Sequence, residues 1–261
     1  DGLRLDVAYM LDKTFMHELC DTIRYDNPDF FFLGEMIGGD YNVLMNDSLL
    51  DSVTNYECRK GLYSSMNTHN LFEIGYSLNR QFGNDQWALY QGKHLLSFVD
   101  NHDVNRLASE LEDAEDLPLT YAMMYAMPGI PCLYYGSEWG IAGKRTDWSD
   151  DELRPCLKEP EWNQLCDLIA AMDTMRKQYS VFTNGDYHQV YLQNESMVFG
   201  RRNEEGQLTF AINISSQPIH IDLDAEAEQG TDLLTKETVS FQKGIDLPAK
   251  SFRFYYTDWN K

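Results

Sequence analysis

Five short apolar runs recur across the first half of the chain, at residues 2–7, 30–34, 50–53, 95–99 and 131–135. They carry little polar–apolar alternation, which is the pattern of strands covered on both faces. Segments with helical spacing lie between most of them. Residues 12–25 bring Phe15, Leu19, Thr22 and Ile23 onto one side, and residues 72–90 do the same with Ile74, Leu78, Phe82 and Leu89. Residues 119–127 are short, Met-rich and read as a packed helix. Buried strands alternating with helices predict repeated βα units and a parallel sheet.

Beyond about Thr183 the pattern changes. The stretch "HQVYLQNESMVFGRRNEEGQLTFAINIS" reads as strands joined by polar turns, with a hairpin signal at residues 203–206. "IHIDLD" and "SFRFYY" alternate with period two. A small antiparallel β domain is therefore expected over residues 181–261, after an α/β part over residues 1–180 that a helix at 161–178 closes.

Charge narrows the partners. The chain holds 42 acidic and 21 basic residues, a formal net charge of -21. Such a surface repels phosphate backbones, so nucleic acid is not an expected partner and a neutral substrate fits better. The five cysteines, Cys20, Cys58, Cys132, Cys156 and Cys166, are odd in number and scattered. They suggest neither a disulfide framework nor a zinc site, and they favour a reducing compartment. No apolar run is long enough to span a membrane.

The apolar runs end alike. "GLRLD" ends on Arg4 and Asp6, "FFFLGE" on Glu35, and "LLSFVDNHD" on His102 and Asp103. Parallel βα units place all carboxyl ends of their strands on one face, where active sites form. One strand-end Asp is most simply a cap or turn residue. Three carboxylates with an Arg and a His at equivalent positions are harder to explain structurally, because clustering like charges costs energy unless chemistry uses the resulting pKa separation. Retaining glycoside cleavage needs this set: a nucleophilic carboxylate, a protonated carboxyl as acid, and a further carboxylate to stabilise positive charge.

With these motifs in view, the chain resembles the alpha-amylase family of glycoside hydrolases, family 13. "GLRLDVAYMLD" is similar to the nucleophile segment and implies Asp6 as nucleophile with Arg4 beside it. "FFLGEM" implies Glu35 as proton donor, and "FVDNHDVNR" implies Asp103 as transition-state stabiliser with His102 on the sugar. "AMPGIPCLYYGSEWGIAG" resembles the last barrel strand and its loop. Within the family, "RLDVA", "DSVTNYE" and "DWSDDELR" look most like the neopullulanase, cyclomaltodextrinase and maltogenic amylase group, and imply sugar contacts from Asp150 and Arg154.

The fold so implied is a partial (β/α)8 barrel, about strands four to eight, followed by a β-sandwich. The remaining barrel half would be supplied in cis or in trans, with a homodimer compatible, and the chain would be inactive by itself. The implied substrate is an α-glucan oligosaccharide such as a maltooligosaccharide or cyclodextrin, with no cofactor required. Tyr9 and Met10 stand where many α-amylases have Lys and His, so this part of the chain gives no support to their calcium site. A cytoplasmic setting is expected. Two alternatives share the resemblance: a transglycosylase or isomerase on the same site, and a non-catalytic amylase-like interaction module.

Overall fold

The computed structural model describes residues 1–223 and 227–259. In chain order the first part runs β1 (Gly2–Leu5), α1 (Lys13–Asp26), β2 (Phe31–Gly34), β3 (Ser52–Val53), α2 (Tyr56–Asn67), α3 (Phe72–Phe82), β4 (Leu96–Ser97), α4 (Leu107–Glu110), α5 (Asp116–Ala126), β5 (Ile130–Pro131), α6 (Gln164–Gln178) and α7 (Val181–Asn184). All five expected strands form, and each is shorter than its apolar run. The strands pair in parallel and in sequence: Gly2 opposite Phe31, Leu33 opposite Ser52, and Leu96 opposite Ile130. A bridge from Thr54 to Leu96 carries the series from β3 to β4. Among the described strands β1 and β5 are the outer members. Parallel neighbours need crossovers; helices lie in each of them except between β2 and β3, where the chain makes a single 3-10 turn at Tyr41–Val43.

Capping sets the helix starts. Asp12 accepts the Phe15 N–H ahead of α1, and Asn163 accepts the Leu165 and Cys166 N–H groups ahead of α6. The helix expected over 72–90 stops at Phe82, where Gly83 follows. The chain then folds back, with Leu89 N–H on Arg80 O and Tyr90 N–H on Gln81 O. Tyr90 stacks on Tyr41 and its hydroxyl accepts the Tyr41 N–H, so tertiary packing claims the residues that periodicity assigned to the helix. The sequence pattern does not signal helix α2. Its polar positions are buried by neighbours, Arg59 and Ser65 among them, which blurs the apolar stripe.

The second part holds β6 (Asp186–Leu192), β7 (Ser196–Arg202), β8 (Gly206–Asn213), β9 (Ile219–Ile221), β10 (Gln229–Asp232), β11 (Thr238–Ser240), β12 (Ile245–Leu247) and β13 (Ser251–Asp258). Six strands form an antiparallel sheet in the order β11-β10-β13-β8-β7-β6, and β12 pairs with β9. The hairpin at 203–206 forms as its sequence predicts, with the Asn203 side chain accepting the Glu205 and Gly206 N–H groups. Strand β9 covers the start of "IHIDLD"; Asp224, its last residue, lies outside the described residues.

Strands β7 and β8 are buried along nearly their whole length. The period of two sends Val198 and Ala211 towards Ile221, Ile245 and Leu247 of the two-stranded sheet. The alternate residues Phe199, Phe210 and Phe254 join the core shared with α5 and α7. Lys250 fastens the two parts, its Nζ lying 2.8 Å from Asp113 Oδ2 and 2.7 Å from the buried Asp116 Oδ1.

Candidate active site

Strand β1 ends at Leu5, and Asp6 follows at its carboxyl end. Glu35 follows β2, held at the same level because its N–H donates to Leu5 O. Arg4 touches both carboxylates: Nη1 lies 2.7 Å from Asp6 Oδ1, and Nη2 lies 3.3 Å from Glu35 Oε2. The two acids differ in exposure. The Asp6 side chain is 71% exposed and that of Glu35 only 7%. The hydrogen bond from Arg4 holds the Asp6 carboxyl below the usual carboxylate range, with a further contribution from the nearby His102. Asp6 is thus kept as the anion, while Glu35 sits in the less solvated position.

Val7 is in the left-handed region, with φ 48°. A β-branched residue adopts that conformation only where its surroundings impose it. Here the turn aims the Val7 N–H at Glu35 Oε2, 3.0 Å away. The Tyr56 hydroxyl approaches Glu35 Oε1 at 3.4 Å from the start of α2. Asn101 Nδ2 donates to that hydroxyl at 3.1 Å, and Asn101 Oδ1 accepts the Asp103 N–H at 2.9 Å. No local sequence pattern gives Tyr56 or Asn101 a role. Tyr56 lies within the quoted "DSVTNYE", but nothing local links it to Glu35.

Asp103 gathers the other expected residues. His102 Nε2 lies 3.0 Å from Asp103 Oδ2, and Arg154 Nη2 lies 3.2 Å from Asp103 Oδ1. The same Arg154 nitrogen is 2.8 Å from Asp150 Oδ2, and Arg154 Nε donates to the His102 carbonyl. The structure therefore brings Arg4, Asp6, Glu35, His102, Asp103, Asp150 and Arg154 into one contact network through Tyr56 and Asn101. Beside Asp103 and Asp150 opens a cavity of about 660 Å³, also lined by Arg59 and the exposed Trp148. Among the described residues no group of three or more His, Cys, Asp or Glu side chains forms a metal cluster.

The first carboxylate of "DNHD" has another task. Asp100 is buried and accepts from the Leu107 N–H and the Ser137 hydroxyl, while burial raises its pKa. Fully buried Arg106 donates to the carbonyls of Tyr135 and Leu153 and stacks on Tyr134. Asp100 and Arg106 build the loop; Asp103 faces the cleft.

Residues 1–195 match the model of the alpha-amylase catalytic domain. The chain belongs to the alpha-amylase family. It is 25% identical to a cyclomaltodextrinase of Geobacillus thermopakistaniensis, over 98% of this chain and 44% of that protein. It is also 25% identical to an intracellular maltogenic amylase of Bacillus subtilis, over 85% of this chain and 38% of that protein. The chain thus spans less than half the length of these relatives. The alpha-amylase of Geobacillus thermoleovorans, solved as its acarbose complex, superposes with a TM-score of 0.84 at 21% identity, covering 98% of this chain and 59% of that one. At that identity the likeness bears on the fold.

Proposed function

We propose that this chain is the carboxyl-terminal part of a retaining glycoside hydrolase that cleaves α-glucosidic bonds of maltooligosaccharides, cyclodextrins or related α-glucans. The observation that carries the reading is Arg4 spanning an exposed, ionised Asp6 and a buried Glu35, with Asp103 joined to the same network. Asp6 attacks the anomeric carbon while Glu35 protonates the leaving oxygen, giving a glycosyl-enzyme; Glu35 then takes a proton from the water that releases the sugar. Asp103 stabilises the oxocarbenium-like charge, and His102 hydrogen-bonds the sugar. Asp150, Arg154 and the face of Trp148 line the path of the glucan.

In this reading the parallel strands are strands four to eight of an eight-stranded barrel, carried by residues 1–180. Residues 181–261 are a β-sandwich made by the six-stranded and two-stranded sheets around their shared core. The one-sided pairing of β1 and β5 and the partial coverage of the relatives support completion by further βα units, in cis or in trans. The five free cysteines and the intracellular Bacillus subtilis relative support a cytoplasmic setting.

The test uses the completed barrel. Asp6→Asn is expected to abolish formation of a trapped glycosyl-enzyme. Glu35→Gln is expected to lower turnover of maltotriose by at least ~100-fold while sparing the first step on aryl glycosides whose leaving groups need no proton. Equal losses on both substrates would rule out Glu35 as the acid.

A further inference from the structure

The opposite end of the parallel strands holds a second cavity, of about 500 Å³. Its walls come from the segment entering β4, from Pro128 before β5, and from the start of the antiparallel sheet. Lys93, His94, Asn184, Asp186 and Arg201 are among its lining residues. Arg201 is 1% exposed. Its Nε donates to Gly185 O at 2.7 Å and its Nη1 to Ala126 O at 3.3 Å. Arg176 stands close by, with Nη1 on Tyr125 O and Nη2 on Gly129 O, both at 2.8 Å. The Lys93 ammonium is likewise held by neutral oxygens, Asn42 Oδ1 and Met45 O.

Among the described residues neither guanidinium is in ion-pair contact with a carboxylate; Asp186 and Asp173 act on them only through space. This is unusual in a chain with a net charge of -21. Carbonyls satisfy N–H donors but supply no countercharge, and a buried cation without one is costly. Burial lowers the pKa of both arginines, Arg176 to about 10 and Arg201 to about 9. Partial desolvation and repulsion from the same two cations lower that of His94, which is itself solvent-exposed. An anion in the cavity would face Arg201 and His94, which line it.

We propose that this cavity binds a small oxoanion, inorganic phosphate or a phosphate monoester, against Arg201, with His94 and Lys93 on the adjoining wall. A cavity of this size admits either a free phosphate or a sugar phosphate, and Arg supplies donors suited to phosphate oxygens. The site lies at the far end of the strands from Asp6, Glu35 and Asp103, so it stands independently of the catalytic assignment.

Calorimetric titration of the intact protein, with chloride holding the ionic strength constant, tests the proposal. Inorganic phosphate and glucose 1-phosphate are the two probes. Saturable one-to-one binding is expected; tighter binding of glucose 1-phosphate marks a sugar phosphate site, and equal binding a phosphate site. Asn184→Asp adds a carboxylate to the exposed rim while keeping the acceptor that Asn203 uses, and is expected to weaken binding at least ~10-fold. Arg201→Gln is expected to eliminate it. Should that variant fail to fold, Asn184→Asp and His94→Gln decide the matter, since neither removes the buried guanidinium. No saturable binding to the unsubstituted protein, or binding indifferent to both rim changes, overturns the proposal.

Discussion

Arg4 governs the electrostatics of the candidate site, because one side chain contacts the anion that would attack and the acid that would donate. The Asp6 carboxyl is depressed chiefly by its hydrogen bond to Arg4. A depressed carboxylate stays ionised as pH falls below its ordinary range, and the Arg4–Asp6 contact is lost only as pH falls through the depressed value. Arg4→Gln should therefore move the Asp6 titration to higher pH, as read by NMR of its carboxyl carbon. In the completed enzyme the acid limb of the pH–rate profile should shift the same way, with turnover lowered roughly 100-fold. An unmoved Asp6 titration would remove Arg4 from this role. The residue types and strand ends of Arg4, Asp6, Glu35, His102 and Asp103 were legible in sequence because each ends an apolar run. The split between Asp100 and Asp103 was not, since both follow the same strand and only packing against Ser137 and Leu107 separates them.

At the scale of elements, Asn55 matters most for placing the site. It caps α2 by accepting the Cys58 N–H, and its amide exchanges hydrogen bonds with Gln81 of α3, both side chains being fully buried. It thereby fixes the start of α2, where Tyr56 meets Glu35. Removing an exposed cap such as Asp12 should cost about 1 kcal/mol. Asn55→Ala should cost about 3 kcal/mol, because it also leaves the buried Gln81 Nε2 without its acceptor. Urea unfolding with an unchanged m-value would measure the difference. Equal costs for the two caps would show that the Asn55–Gln81 exchange contributes little. The weak periodicity of helix α2 has the same origin: a buried polar pair fixes its start in place of an apolar stripe.

At the scale of the molecule, the two outer parallel strands decide behaviour. Among the described residues, strand β1 pairs with β2 alone and β5 with β4 alone. Leu3 and Tyr135 are exposed beside them. A barrel removes such edges by closing its hydrogen bonding, whereas open edges recruit partners or aggregate. The 261 residues by themselves should be poorly soluble and should hydrolyse maltotriose at least ~1,000-fold more slowly than the same chain completed by amino-terminal βα units. Activity of the purified monomer equal to that of the completed protein would overturn the barrel assignment. The antiparallel sheet is expected to stay seated in either state, since Lys250 reaches the buried Asp116 and β7 and β8 share the main core.

The sequence by itself determined the strand–helix alternation, the polar strand ends, the 203–206 hairpin and the change to period two, because all of these depend on neighbours within a few residues. It also carried the family resemblance, which rests on short motifs. Only the tertiary structure decided that Tyr56 and Asn101 connect Glu35 to Asp103, that Val7 adopts a left-handed conformation with its N–H aimed at Glu35, and that Arg176 and Arg201 come within electrostatic reach of His94. Those contacts join residues far apart in the chain. They depend on strand register and on which side chains a helix turns inward, quantities that packing of the whole chain sets and no local pattern encodes.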